Sequence, residues 1–543
     1  MTNKELADLI FPNITKTIED YRKEYPKREL PNSAIVTRYA PSPTGFVHVG
    51  ALFASFVGMA FAKQTNGVFY LRIEDTDTKR TVDNGVATII NGLKEYNVTF
   101  DEGPTDDEGG HEGNYGPYIQ SQRKEIYQAF VKYLLEQGLA YPCFCSPEEL
   151  DAMRQKQEKT KARIGYYGPW ATCRNLSNEQ RAERIKNGDP YIIRLKSPGN
   201  YHKKIICHDE IRGDLQFPEN DIDIVINKAD GLPTYHFAHL VDDYLMGTTH
   251  VIRADEWVAS LPLHYQLFQM FGFEVPKYAH ISPLSKVEDG KMRKLSKRKD
   301  PEAAMSYYHE LGIPYEAVKI YLATIANSGF EIWHANHPTS DVLDYKFEFD
   351  KMSKSPALFD LDKLNFICKE YVSTLKAEDL YKAVSEYLEI YDKDFAQLFT
   401  RDPQFSIGFL NIEREQKKPR KDIAYYSDVK KEMWYMFDEL FTADWKEEKN
   451  SDAQILLEYM NEYYDVNDTQ QDWFAKINEF GRKYGYVPMK EYKASPESFK
   501  GHTGMLCEML RYIVTTKHMT PNLYDILRLL GKEKVINRIE RYL

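Results

Sequence analysis

Four short segments carry residue types suited to holding phosphates and a small charged substrate. The first is Arg38-Tyr39-Ala40-Pro41-Ser42-Pro43-Thr44-Gly45-Phe46-Val47-His48-Val49-Gly50-Ala51. It joins a β-branched run to a helical pattern, and a helix N-terminus offers unpaired N–H groups and a positive dipole end to an anion. His48 there can donate to a phosphate oxygen, and Gly50 removes a Cβ where a nucleotide could approach the backbone. The second is Leu71-Arg72-Ile73-Glu74-Asp75-Thr76-Asp77, with carboxylates at a strand end, where open α/β sheets bind ligands. The third joins Tyr235-His236-Phe237-Ala238 and Val241-Asp242-Asp243 to Val251-Ile252-Arg253-Ala254-Asp255-Glu256-Trp257. An arginine closing a strand, as Arg253 does, can grip a carboxylate in bidentate fashion. The fourth, Lys291-Met292-Arg293-Lys294-Leu295-Ser296-Lys297-Arg298, has five cations and no acid, and suits a loop over polyphosphate. Taken singly, each also reads as an ordinary turn, cap or solvated charge run.

The elements that must position these groups alternate in type. Ala34 to Tyr39 and Val68 to Ile73 read as strands. Val49, Leu52, Phe53, Phe56, Val57 and Ala60 recur at helical spacing, as do Val86, Ile89, Ile90 and Leu93. Strand, helix, strand, helix predicts parallel strands joined by right-handed crossovers. The pattern breaks near Ala140 and resumes with predicted strands at Ile222–Ile226, His250–Arg253 and Tyr278–Ile281. The expected fold class is therefore α/β, a Rossmann-like parallel sheet split by an α+β insertion of about 80 residues and followed by an all-α C-terminal region. The expected divisions are an N-terminal extension (1–33), two halves of the nucleotide-binding domain (34–138 and 221–290), the insertion (139–220), a region with the basic loop (291–372) and a helical region (373–543).

Composition bounds the rest. The chain has 543 residues, 42% hydrophobic and 28% charged, which excludes disorder for its bulk. Its longest near-apolar stretch, Val49 to Ala62, is shorter than the ~20 residues that span a bilayer. The N-terminus lacks the apolar run of a secretory signal, and six Cys make no disulfide framework, so a cytoplasmic, membrane-free protein is expected. A net charge of −11 argues against a nonspecific nucleic-acid coat but leaves room for local basic surfaces, with Lys417-Lys418-Pro419-Arg420-Lys421 the main C-terminal run.

In order and context the four segments resemble the class I aminoacyl-tRNA synthetases, with His48-Val49-Gly50-Ala51 in the place of the first signature. The resemblance narrows to the bacterial-type glutamyl-tRNA synthetases through RYAPSPTGFVHVGAL, LRIEDTD, GLPTYHFAHLVDDYLMGTTHVIRADEW, KLSKR, SKSPALFDLDKL and LLGKEKVINRIERYL. It implies an ATP-dependent, Mg²⁺-assisted ligation of L-glutamate to tRNA(Glu), with tRNA(Gln) open as a second substrate, by a monomer. It implies His48, Gly50, Lys294 and Lys297 as catalytic residues. Arg38, Ser42, Glu74, Tyr235 and Arg253 would contact glutamate. His48, Gly50, Glu256, Trp257 and Lys297 would contact ATP.

Lys351-Met352-Ser353-Lys354-Ser355 spells the class I loop signature literally. It is rejected as the ATP loop because it lies far beyond the last predicted sheet strand, in a stretch read as helical, whereas Lys294 follows that strand closely. Some glutamyl enzymes hold zinc in the insertion. Here Cys143, Cys145 and Cys173 supply three ligands, Tyr166 and Tyr167 read as poor fourths, and Asn175 stands where some relatives place a His, so packed reduced thiols are expected. Cys207, Cys368 and Cys507 read as packing residues.

Rival readings fit less well. A small-molecule adenylyltransferase does not need the helical residues after Leu375, and a short tRNA-modifying paralogue lacks that half. An RNA-binding scaffold would be expected to lose His48 or Lys297. Glutaminyl-tRNA synthetase differs after the first Pro, where Ser42-Pro43-Thr44-Gly45 favours glutamate.

Overall fold

The computed structural model describes every residue except 44–46, 78–81, 83, 297 and 446–449. Lys297 therefore lies outside the described residues. The chain forms two compact units, one of residues 1–305 with 319–360 and the other of 306–318 with 361–543.

The first unit opens with helices α1 (Asn3–Ile10) and α2 (Ile18–Glu24), each started by a threonine capping box. Strand β1 (Val36–Tyr39), helix α3 (Val49–Gln64), strand β2 (Val68–Leu71) and helix α4 (Gly85–Lys94) follow as expected. β1 and β2 pair in parallel, Val36 opposite Val68 through Tyr39 opposite Leu71. Helix α5 (Lys124–Glu136) leads to an inserted module of β3 (Ala140–Cys143), α6 (Pro147–Lys159), α7 (Asn178–Lys186) and β4 (Ile192–Leu195). A hairpin of β5 (Lys204–Asp209) and β6 (Gly213–Pro218) follows, and the short strand β7 (Val225–Asn227) completes the module's sheet. Then come α8 (Tyr235–Leu245), β8 (His250–Ala254), α9 (Leu261–Met270) and β9 (Lys277–Ile281). β8 and β9 are parallel, and the Thr249 N–H donates to the Val36 carbonyl (2.9 Å), joining β8 to β1.

Two expectations need correction. The run at Ile222–Ile226 does not return to the parallel sheet: β7 pairs antiparallel with β4 in the insertion's sheet. Asp223 explains this, because it is fully buried there, accepting from the Tyr141 hydroxyl (2.5 Å) and the Ser197 N–H (2.8 Å). The parallel sheet is instead extended by the hairpin, β5 lying beside β9. The stretch around 351–355 is not helical beyond one short turn at Phe349–Lys351; it bends at 354–355 before the strand Ala357–Leu358.

That two-residue strand pairs with β10 (Leu284–Glu288), which also forms a hairpin with β11 (Lys291–Lys294). The N-terminal extension packs into the core through Leu6, Ala7, Ile10 and Phe11, and its Arg28 forms a bidentate pair with Glu102 (2.7 Å, both arms). The second unit is helical around a core including Leu380, Phe399, Tyr459 and Leu527, with, among the described residues, one two-residue parallel ladder, Tyr486–Val487 with Gly501–His502. No described helix is long and apolar enough to cross a membrane.

Candidate active site

The strand ends of the first unit open onto a cavity of about 710 Å³. Arg38 and Ser42 enter its wall from the end of β1 and the turn after it, His48 and Gly50 from the start of α3, and Glu74 from beyond β2. Tyr235 enters from α8, Arg253 from β8, Glu256 and Trp257 from the turn after it, and Lys294 from β11. All the residues singled out from the sequence for glutamate and ATP, Lys297 apart, thus line one space.

His48 caps α3, its Nδ1 accepting the Ala51 N–H (3.2 Å). That bond puts the ring proton on Nε2, which makes that nitrogen a donor. A Cβ on Gly50 would sit 3.0 Å from the His48 ring, so Gly50 makes room first for the imidazole. The Glu74 N–H donates to the Pro41 carbonyl (2.9 Å), tying the first two segments together.

The floor is a buried charge network. Asp243 accepts from Arg38 Nε (3.1 Å) and Arg72 Nη1 (2.6 Å), and its other oxygen lies 2.7 Å from His239 Nδ1. Arg72 also donates to Glu74 (3.0 Å). Asp242 accepts from Arg123 Nε, Gln120 and the Tyr127 hydroxyl, each at 2.8 Å. Burial pushes the Glu74 carboxyl up against the pull of Arg72 and Arg38. Burial likewise raises the Asp243 carboxyl, but Arg38 and Arg72 outweigh it and hold the group well below its usual range.

Arg253 is supported differently, by Tyr235 Oη (3.3 Å), His280 Nε2 (3.0 Å) and His264 Nδ1 (3.2 Å). The Tyr235 ring lies 4.2 Å from that of Trp257, so the residues assigned to glutamate and to ATP touch. Lys294 pairs with Glu256 (2.7 Å), and Leu295 also lines the cavity, whereas none of residues 351–355 does. Lys351 is engaged with Glu348.

Sequence reading missed the supporting residues Arg72, Arg123, Gln120, Asp209, His264 and His280. Asp242 and Asp243 carried a usable signal, because two adjacent acids on an apolar helix face have to meet buried cations.

In the insertion, the sulfurs of Cys143, Cys145 and Cys173 lie within 4.8 Å of one another. Cys145 and Cys173 are 3.6 Å apart, and Tyr166 Oη lies 3.4 Å from the Cys143 sulfur and 3.3 Å from that of Cys145. Zn–S bonds of about 2.3 Å would put tetrahedral sulfurs about 3.8 Å apart, close to the Cys145–Cys173 separation, and the Tyr166 hydroxyl lies against the other face of Cys143 and Cys145 as the fourth polar group. Tyr167 instead donates to the Arg163 carbonyl, and Asn175 is exposed. Hydrogen bonds from Cys145 and Cys173 hold the Cys143 thiol below its ordinary range, while burial keeps the Tyr166 phenol protonated, a preference a bound dication reverses.

Residues 34–366 match the family of tRNA synthetases class I (E and Q), catalytic domain, and residues 489–543 match the anticodon binding domain family. The chain is 47% identical to the glutamate–tRNA ligase of Clostridium perfringens (strain 13 / Type A), over 99% of this chain and 100% of that protein. It is 45% identical to that of Acetivibrio thermocellus over 100% of both. Among solved structures, a glutamate tRNA ligase from Elizabethkingia meningosepticum in complex with its amino acid superposes with a TM-score of 0.78 at 26% identity, covering 94% of this chain and 99% of that one.

Proposed function

The chain belongs to the class I tRNA synthetases of the glutamate and glutamine branch, and on that premise we propose that it is a cytoplasmic glutamate–tRNA ligase, joining L-glutamate to tRNA(Glu) at the expense of ATP. The observation that carries the reading is one cavity whose wall brings together two guanidiniums, Arg38 and Arg253, and the half-buried carboxylate of Glu74. Those charges complement two carboxylates and an ammonium.

Chemistry follows from placement. Arg38 and Arg253 take the substrate's carboxylates, Glu74 its ammonium, and Tyr235 and Ser42 fix its orientation. A carboxylate oxygen of glutamate attacks the α-phosphorus of MgATP and diphosphate leaves. His48, through Nε2–H, and Lys294 with Lys297 stabilise charge on the phosphates, while Glu256 and Trp257 wall the nucleotide. A terminal ribose hydroxyl of the tRNA then attacks the activated carbonyl and AMP leaves. Little covalent work falls to the protein; positioning and fixed charge dominate. The test is transfer of labelled glutamate to tRNA(Glu) and tRNA(Gln) transcripts: charging of tRNA(Glu) is expected, and charging of neither contradicts the reading.

In the insertion, Cys143, Cys145, Cys173 and Tyr166 would hold a structural zinc that pins β3 to the 172–175 turn. Metal analysis of protein purified without chelator should find about one zinc per chain, lost in Cys145→Ser and reduced in Tyr166→Phe. Absence of zinc with the thiols freely titratable would contradict this.

In the second unit, the basic run at 417–421 divides. Arg420 pairs with Asp422 (2.8 Å) and Lys421 with Glu370 (2.5 Å), while Lys417 and Lys418 are exposed and, among the described residues, have no ion pair. Arg538, by contrast, is buried on the carbonyls of Tyr435 and Val514. Replacing Lys417 and Lys418 with Gln should flatten the log–log salt dependence of tRNA binding by about 0.7–0.9 per lost phosphate contact. Arg420→Gln should instead act on stability. An unchanged slope in the double variant would remove Lys417 and Lys418 from the RNA surface.

A further inference from the structure

Arg253 differs from the other cations lining the cavity. Arg38 shares the Asp243 carboxylate with Arg72, and Lys294 pairs with Glu256. Among the described residues, no carboxylate lies within ion-pair distance of Arg253; its nitrogens meet two imidazoles, the Tyr235 hydroxyl and the Trp257 carbonyl. Arg253 and His280 are register partners on adjacent parallel strands, so their side chains share one face.

The hydrogen bonds fix the protons on both imidazoles. His280 Nδ1–H donates to Asp209 Oδ2 (2.6 Å), which leaves a lone pair on Nε2 to accept from Arg253 Nε (3.0 Å). Asp209 is itself held by the N–H groups of Ile211 (3.1 Å), Arg212 (2.8 Å) and His280 (3.0 Å). His264 accepts from Arg253 Nη2 on Nδ1 (3.2 Å), so its Nε2–H points to His236 Nδ1 (2.9 Å). Asp209, His264 and His280 are completely buried. Burial lowers the basicity of both imidazoles, which keeps them acceptors.

We infer that His280, locked by Asp209, and His264, locked by His236, are positioning residues that hold the Arg253 guanidinium through two neutral acceptors and so leave its charge for a substrate carboxylate. A carboxylate held by Arg253 alone would orient the guanidinium equally well but compete with the substrate, whereas the Asp243 carboxylate beside Arg38 is divided between Arg38 and Arg72. An imidazole interposed between Asp209 and Arg253 keeps the orientation and separates the charges. The inference rests on Arg253 binding glutamate.

The test measures KM for glutamate and for ATP separately, in aminoacylation by the full chain with tRNA(Glu). Arg253→Lys, which cannot reproduce the guanidinium fork, should raise the glutamate KM at least tenfold with little change for ATP. His280→Phe and His264→Phe keep a ring but lose the acceptor, and each should raise the glutamate KM roughly tenfold with the ATP KM within about twofold. His280→Gln and His264→Asn restore an acceptor oxygen and should recover most of that loss. Thermal unfolding is followed throughout; Asp209→Asn replaces His280→Phe, and His236→Phe replaces His264→Phe, where the first variant does not fold, with the same expected rise. If Arg253→Lys raises the glutamate KM and neither Phe variant does, the positioning role is overturned and the Arg253 assignment stands. An equal rise in both KM values makes the histidines merely structural and also overturns it. An unchanged glutamate KM in Arg253→Lys overturns the assignment and the inference together.

Discussion

Lys297→Ala is expected to slow glutamate activation by roughly 10²–10³-fold, the loss typical of one preorganised transition-state donor, whereas Lys354→Ala should leave the rate within about threefold. The expectation rests on the neighbours of Lys297. The hairpin of β10 and β11 delivers Lys294 and Leu295 to the cavity wall. The turn beyond is pinned where Asp300 receives both arms of Arg293 (2.6 and 2.7 Å) and the Ser296 N–H (2.7 Å). None of residues 351–355 lines that cavity. Diphosphate exchange measured with tRNA present separates the two: a crippled Lys354→Ala with a mild Lys297→Ala would reassign the ATP loop.

Asp242→Ala should cost the first unit about 3–5 kcal/mol, the range for breaking a buried ion pair. Asp242 is fully buried and takes hydrogen bonds from Arg123, Gln120 and Tyr127, with Arg72 Nε 3.8 Å away. Without it two buried guanidiniums lose a counter-charge, and Arg72 holds both Asp243 and Glu74. Glu256→Ala removes an exposed partner and should change stability by less than about 1 kcal/mol. Denaturant unfolding followed in the first unit gives both values. Equal small losses would show that the network under the cavity contributes little to stability.

The residues of the cavity wall were legible because they sit at strand ends and helix starts, whose signals are local. Pro41 and Pro43 announce the end of β1, and the spacing from Val49 to Ala60 announces α3. The supports were not legible in this way. Arg72 reaches Asp243 and His280 reaches Asp209 across long stretches of chain, and nothing near Asp209 in sequence indicates its partner. The strand at 222–226 was visible as a strand, but its alternation suits either sheet, and only the demands of buried Asp223 decide between them. Tyr166 could not be told from Tyr167, since adjacent residues point apart and the choice depends on backbone direction. The N-terminal extension carried an unused signal: Leu6 and Ile10 lie one helical turn apart, and both are buried.

Amino-acid-dependent diphosphate exchange, with tRNA(Glu) present and glutamate, glutamine and aspartate supplied in turn, tests the charge complementarity of the cavity most directly. Arg38 and Arg253 facing two carboxylates, with Glu74 facing an ammonium, predict efficient exchange with glutamate. Glutamine, which lacks the second carboxylate, should fall by at least about 10²-fold, because it leaves one buried guanidinium unpaired. Equal exchange with glutamine, or none with glutamate, would contradict the account.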